Sequence, residues 1–335
     1  AVAFIARKGR IIYYKAFGQS NTETKAALKK DNIFRIASQS KAITALAIMM
    51  LFEEGKFFLD DAVSKYIPEF KNPRVMVRLN WTDTTYTTEP AKGEITIRQL
   101  LTHTSGLDYA GIGNQEFKAI YAKAGLVSGI GNHQSTIGEK MKILGGLPLK
   151  HHPGEQYTYG LNNDVLGYLV EVLSGLTFDQ FLKTKVFQPL GMNDTYFYLP
   201  KDKHNRLVAL HQSKNGVYAP VKDKIFDGVN PDYPMLEGTY FSGGAGLNST
   251  IEDYAKFLQL FLNKGEYNGV RLLSRKTVEL MLTNQTQSPI TSQVGLGFGL
   301  ETDANDSRSV VSKGTFSWGG AFTTTYWADP QEKIV

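Results

Sequence analysis

Ser38 to Gly55, SQSKAITALAIMMLFEEG, is the stretch on which the reading of this chain turns. Ile43, Ala45, Leu46, Ile48, Met49, Leu51 and Phe52 leave almost no polar face, so the pattern predicts a helix over 38–54 buried on every side and closed by Gly55. At its mouth, Ser38-Gln39-Ser40-Lys41 forms an S-x-x-K pattern that occurs once in the chain. Residues three apart share a helix face, so the serine hydroxyl and the lysine amine can meet. A serine hydroxyl becomes a useful nucleophile when a neighbouring base takes its proton, and lysine serves where burial or other cations keep it neutral. Because Ser38 starts the helix, its backbone N–H points toward an incoming group. Alone the pattern is weak, since a Ser and a Lys at this spacing arise by chance in most chains of this size. Its setting strengthens it, because a surface Ser–Lys pair would have polar neighbours.

Upstream, Val2–Ala6, a turn at Arg7–Arg10 and Ile11–Tyr14 predict a β-hairpin, followed by a polar stretch from Gln19 to Asp31. Downstream, Thr96–Leu101 reads as a short helix stopped at His103-Thr104-Ser105-Gly106. Asp164–Leu173 is amphipathic and closes at Gly175; Phe178–Phe187 closes near Pro189. The Gly- and Asn-rich loop from Gly125 to Gly138 suggests a lid or a site wall. Phe241–Leu247 reads as a glycine-rich strand and Ile251–Asn263 as a helix with Tyr254, Phe257, Leu258 and Phe261 on one face. Two last strands are expected around Phe298–Leu300 and Thr323–Trp327. Strands at both ends with helices between them place the first and last segments in one sheet. The division expected is 1–60 with 236–335 as the sheet region and 61–235 as an inserted, mainly helical region, together forming one catalytic unit.

The 335 residues are 42% hydrophobic and 21% charged, the balance of a globular protein and not of a disordered or coiled-coil chain. A net charge of +5 over this length is no nucleic-acid signature. The densest basic stretch, Lys201–Lys224, is interleaved with Asp202 and Asp223 and reads as a solvated loop. The absence of cysteine excludes thiol catalysis, disulfides and cysteine-ligated metals. No run is long and apolar enough for a membrane span. No signal segment is visible, but the chain opens in mid-pattern at Ala1–Ala6 and stops at Lys333–Val335 entering another strand, so both ends are expected to be trimmed.

The chain has no G-x-S-x-G elbow, P-loop, H-E-x-x-H or G-x-G-x-x-G. Adjacent His151 and His152 point different ways and make a poor metal pair, and the six histidines show no ligand spacing. Three stretches add to the serine–lysine pair: Pro153-Gly154-Glu155-Gln156-Tyr157-Thr158-Tyr159-Gly160-Leu161 leading into Asp164-Val165-Leu166-Gly167, then Gly243-Gly244-Ala245-Gly246-Leu247, then Trp318-Gly319-Gly320-Ala321. With Leu100-Leu101-Thr102-His103-Thr104-Ser105-Gly106-Leu107, and in this order along the whole chain, they resemble the serine β-lactamase-like family. That family contains class C β-lactamases, D-alanyl-D-alanine peptidases and esterases of the same fold.

The resemblance implies an α+β fold of the β-lactamase/transpeptidase type: an antiparallel sheet flanked by helices, with an inserted, mainly helical region and the site between them. It implies that Ser38 is the acylated nucleophile, Lys41 its partner and Tyr159 the proton-shuttling tyrosine of the family's Y-x-N element. Leu161 stands where that element has asparagine, and Trp318-Gly319-Gly320 replaces K-T-G or H-x-G, so a cation that would grip a substrate carboxylate becomes an uncharged aromatic wall. Both departures are similar to the esterase branch, with its Y-x-L and W-G-G. The backbone N–H groups of Ser38 and of Ala321, placed on the strand after Trp318-Gly319-Gly320, are expected to hold the oxyanion, and Gly319 and Gly320 to let substrate lie close. Tyr109 lines the pocket or packs in the core. His103 and Ser105 read as a structural element of the family, not as a catalytic dyad, and Tyr159, not Tyr157, has the right offset from its neighbouring motifs. The expected function is a serine hydrolase, foremost a carboxylesterase on small or medium acyl esters. A β-lactamase or D-alanyl-D-alanine carboxypeptidase, and a receptor that stays acylated, are the alternatives. No metal or organic cofactor is implied. The expected partner is a small-molecule ester or amide, with no nucleic acid. The resemblance favours a periplasmic or secreted location and leaves the oligomeric state open.

Overall fold

A computed structural model describes every residue except Asp227 and the side chain of Arg308. Its first strands, β1 (Val2–Arg7) and β2 (Arg10–Ala16), form the expected antiparallel hairpin, turning at Lys8 and Gly9, both with positive φ. The other end of the chain returns to β1: Ala6 and Val335 exchange N–H···O bonds of 3.0 Å each, and the Lys8 N–H donates to the Lys333 carbonyl at 2.7 Å. On its other side this last segment pairs with the end of strand Thr325–Ala328, through reciprocal Asp329–Ile334 bonds of 2.8 and 3.1 Å. That strand belongs to an antiparallel sheet with Phe316–Gly319 in the middle and Gly299–Leu300 at the edge. The two chain ends therefore meet in one hydrogen-bonded layer.

Helix α1 (Ser40–Glu53) follows a 3₁₀ turn over Ala37–Gln39, and eleven of its residues are buried. Gly55, at φ +70°, ends it in the left-handed conformation that glycine adopts without strain. The inserted region supplies α2 (Ile97–Leu101), α3 (Gln115–Lys123), α4 (Ile137–Gly145), α5 (Asn162–Ser174), α6 (Phe178–Phe181) and α7 (Gln188–Leu190). α5 packs on α1 and helps to bury it. On the sheet side lies α8 (Ile251–Leu262), N-capped by the Thr250 side chain, with Phe261 against Phe298 and Phe316 and Tyr254 against Tyr326. This is the α+β architecture of sheet and flanking helices. Two hairpins, Arg74–Asn80 with Thr85–Pro90 and His211–Lys214 with Val217–Pro220, interrupt the helical region. No single helix among the described residues is long and apolar enough to cross a membrane.

One local expectation is corrected. Phe241–Leu247 is a turn, not a strand: Ser242 Oγ accepts the Ala245 N–H at 3.0 Å and its carbonyl accepts the Gly246 N–H at 3.1 Å, and these local bonds replace a ladder. Only Asn248–Ser249 is extended, pairing with Phe34–Arg35. The helix from Phe178 closes near Pro189 as expected, after passing through a π-helical turn, Leu182–Phe187, into α7. Pro189 stands one residue before the helix's last, Leu190, and Gly191 at φ +66° closes it in the left-handed conformation.

Candidate active site

Ser38 occupies the 3₁₀ turn just before α1, behind Ala37, a fully buried residue held at φ +43°. Its Oγ accepts two bonds, from the Tyr159 hydroxyl at 2.7 Å and from Lys41 Nζ at 3.2 Å. Lys41 is 2% exposed, so its polar end must be satisfied inside the protein. It is: Nζ also donates to the Tyr109 hydroxyl at 3.2 Å and to the Gly244 carbonyl at 2.7 Å, and sits 4.5 Å from the centre of the Tyr159 ring. The start of α1 is clasped to the same turn by Thr44 Oγ1 donating to the Gly243 carbonyl (2.7 Å) and the Leu247 N–H donating to Ser40 Oγ (3.0 Å).

Tyr159 and Tyr109 are brought to the serine by one pairing of loops. The segment after α2 accepts from the Pro153–Leu161 segment through Gly154 N–H to Thr104 O (2.7 Å), Thr158 N–H to His103 O (2.8 Å) and Leu161 N–H to Asp108 O (3.2 Å). Gly160 lies so close to the Leu107 carbonyl that any side chain there would overlap it. Burial pushes the Tyr109 phenol far above its ordinary range, and Tyr159 and Asp164 add to the effect. Tyr109 therefore remains a neutral phenol between Lys41 and the core.

His103 and Ser105 do not face one another as a dyad. Asn162 stands between them, accepting from Ser105 Oγ and donating through Nδ2 to His103 Nδ1 at 3.0 Å. Burial, with Lys41 nearby, holds the imidazole of His103 down to about 3, so it is neutral. Trp318 stacks over it with a 15° interplanar angle, and Tyr159 packs 4.9 Å from it. Tyr157 touches only the edge of this histidine, at 5.8 Å, and makes no bond to Ser38.

Beneath α1's first turn lies a buried carboxyl that the sequence reading passed over. Asp164, in the first turn of α5, accepts at Oδ1 from Ser242 Oγ (2.6 Å) and from the Gly244 N–H (3.2 Å). Burial raises its pKa, while those two bonds and Lys41 oppose the rise. In sequence it looks like any acidic residue favoured at a helix N-terminus. The loop from Gly125 is a wall here: a side chain at Gly129 would overlap Ser242 Oγ.

The family model described as Beta-lactamase matches residues 1–335. The chain belongs to the β-lactamase family. It is a serine hydrolase of that fold, on the family's esterase side. Protein Rv1367c of Mycobacterium tuberculosis is 31% identical over 100% of this chain and 84% of its own length. Esterase EstB of Burkholderia gladioli is 29% identical over 98% of this chain and 82% of its own. Among solved structures, EstCE1, described as a hydrolase with promiscuous acyltransferase activity, superposes with a TM-score of 0.85 at 28% identity, covering 99% of this chain and 86% of that one.

Within this β-lactamase-family site, one expected substrate contact and one expected placement need correction. Leu161 is completely buried in the core at the N-cap of α5, so its side chain has no surface to offer a ligand. Ala321 is not on a strand: it lies in the exposed turn after Phe316–Gly319, and its N–H has no hydrogen-bond partner among the described residues. Trp318 is half-buried on that strand and, with Lys41, Leu101, His103 and Phe298, closes a cavity of about 10 Å³, room for one water at most. A larger cavity of about 520 Å³ is lined by Phe187, Phe197, Tyr198 and Phe241, away from Ser38 and Lys41.

Proposed function

We propose that the protein is a carboxylesterase working through an acyl-enzyme on Ser38. The observation that carries this reading is the pair of donors, Tyr159 and Lys41, converging on one serine oxygen. With Lys41 as the neutral amine, the serine hydroxyl hands its proton to that amine, directly or through the Tyr159 hydroxyl, as its oxygen attacks an ester carbonyl carbon. The same proton then goes to the departing alkoxide as the ester C–O bond breaks, leaving the acyl group on Ser38. Water attacks the acyl carbon, the pair takes its proton, and Ser38 leaves protonated with release of the acid. The N–H of Ser38, in the first turn of a helix where backbone donors lack intrahelical acceptors, and the free N–H of Ala321 are the donors assigned to the oxyanion. One such donor is typically worth about 2.7–4 kcal/mol in the transition state. Trp318, an uncharged aromatic at the closing strand, favours neutral esters over carboxylate-bearing amides. EstB and EstCE1 support the same class.

One comparison tests the reading: p-nitrophenyl acetate and butyrate, a chromogenic cephalosporin and a D-alanyl-D-alanine peptide, assayed side by side. Ester hydrolysis with slow or absent cephalosporin turnover is expected, together with a single phosphonate adduct on Ser38 that Ser38→Ala loses. Lys41→Ala and Tyr159→Phe each lower kcat by about 10²–10⁴-fold, without additivity, while Tyr157→Phe does not. Efficient cephalosporin hydrolysis with esters untouched would establish the amidase reading instead, and penicillin acylation without release would establish the receptor.

A further inference from the structure

We propose that Asp164 is a positioning residue, resting on the Ser38–Lys41 reading: it locks the Ser242–Ala245 turn so that the Gly244 carbonyl holds Lys41 against Ser38. The connection is continuous. Asp164 Oδ1 receives the Ser242 hydroxyl at 2.6 Å and the Gly244 N–H at 3.2 Å; Ser242 Oγ in turn receives the Ala245 N–H at 3.0 Å; the Gly244 carbonyl receives Lys41 Nζ at 2.7 Å.

The placement is unusual for a residue that only starts a helix. An acid that complements a helix N-terminus works from the solvent side. Asp164 is 0% exposed and its second oxygen, Oδ2, has no hydrogen-bond partner. A buried carboxyl with half its capacity unused is expensive to retain, and what its bonded half fixes is the one carbonyl that grips Lys41. The turn carries two consecutive glycines for the same reason: a side chain at Gly243 would overlap the Asn163 carbonyl, and one at Gly244 would crowd Tyr109 Oη and Asp164 Oδ2. Such a turn has little stiffness of its own, so its position depends on the side chain bonded to it.

Two variants and two readouts test the idea. Asp164→Ala removes the acceptor; it is expected to lower kcat by about 10- to 100-fold per phosphonate-titratable site, with KM little changed, because a small displacement of a catalytic group has that effect. Asp164→Asn keeps an oxygen for the same two donors and is expected to restore kcat to within about tenfold of the parent, since a neutral acceptor makes a bond about half as strong. The second readout needs no substrate: reductive methylation followed by peptide mass spectrometry should find Lys41 protected in the parent and in Asp164→Asn but modified in Asp164→Ala. Ser242→Ala, which removes one donor from Oδ1, should fall between them and serves if Asp164→Ala does not fold. Normal kcat per site with Lys41 still protected in Asp164→Ala and Ser242→Ala would overturn the proposal. So would an Asp164→Asn variant as damaged as the alanine. A parent protein without ester activity would instead refute the esterase reading, and Lys41 methylation would still decide the role of Asp164.

Discussion

His103, sealed under Trp318 and bonded to Asn162, is a base that the fold keeps unprotonated. Its pKa is held down to about 3 from an ordinary 6.5, so over that interval the unfolded chain takes up a proton that the folded chain refuses. Stability therefore rises with pH across this window and is lost as pH falls through it. The melting temperature of the parent protein should drop steadily between pH 7 and 4. His103→Gln should melt lower at pH 7 yet show a shallower slope, with His133 and His151, also lowered by burial, supplying the remainder. An equal slope in both proteins would show that His103 titrates normally. Ser38 and Lys41 were legible because a spacing of three on a helix is itself a geometric statement. Gly244 was not, because a backbone carbonyl carries no side-chain mark. Nor was the neutrality of His103, which is a property of burial and not of residue type.

The strand Phe316–Gly319 and the 3₁₀ turn of Ser38 meet at a pair of glycines that behave differently. A side chain at Gly320 would overlap both Thr324 Oγ1 and the Ile36 carbonyl, whereas one at Gly319 would meet only the Thr324 carbonyl at an ordinary 3.7 Å. Gly320→Ala is therefore expected to destabilise by about 1–3 kcal/mol and to shift the serine turn, lowering kcat as well. Gly319→Ala should keep the melting temperature within a degree or so of the parent, because nothing is displaced. Equal melting temperatures for the two would refute this account of the contact. The helix α1 was readable because a segment apolar on all sides has only one place to go. The turn at Phe241–Leu247 was not. Its glycines suit a close-approaching strand or a tight turn equally well, and the choice is made by Ser242, Asp164 and Lys41 from three parts of the chain.

At the scale of the molecule, the sheet is closed by residues from opposite ends, with Ala6 bonded to Val335, and the strand patterns at each end made that meeting foreseeable. The hairpin Arg74–Asn80 with Thr85–Pro90 was less visible, because a register shift between Met76 and Arg78 breaks its alternation and only Val75 and Leu79 are buried. The site itself spans the chain: the bond from Tyr159 to Ser38 joins residues 121 apart, and that from Lys41 to Gly244 joins residues 203 apart. Contacts of such separation close late, after the local helices have formed. On the proposed esterase reading, ester hydrolysis is thus a clock for the end of folding. After dilution from denaturant, far-UV circular dichroism should recover first and activity last, with phosphonate labelling of Ser38 following the activity. Simultaneous recovery of all three signals would refute this order. A chain still emerging from a ribosome would likewise carry its serine and lysine side by side while lacking the glycine turn, more than two hundred residues later, whose Gly244 carbonyl holds Lys41.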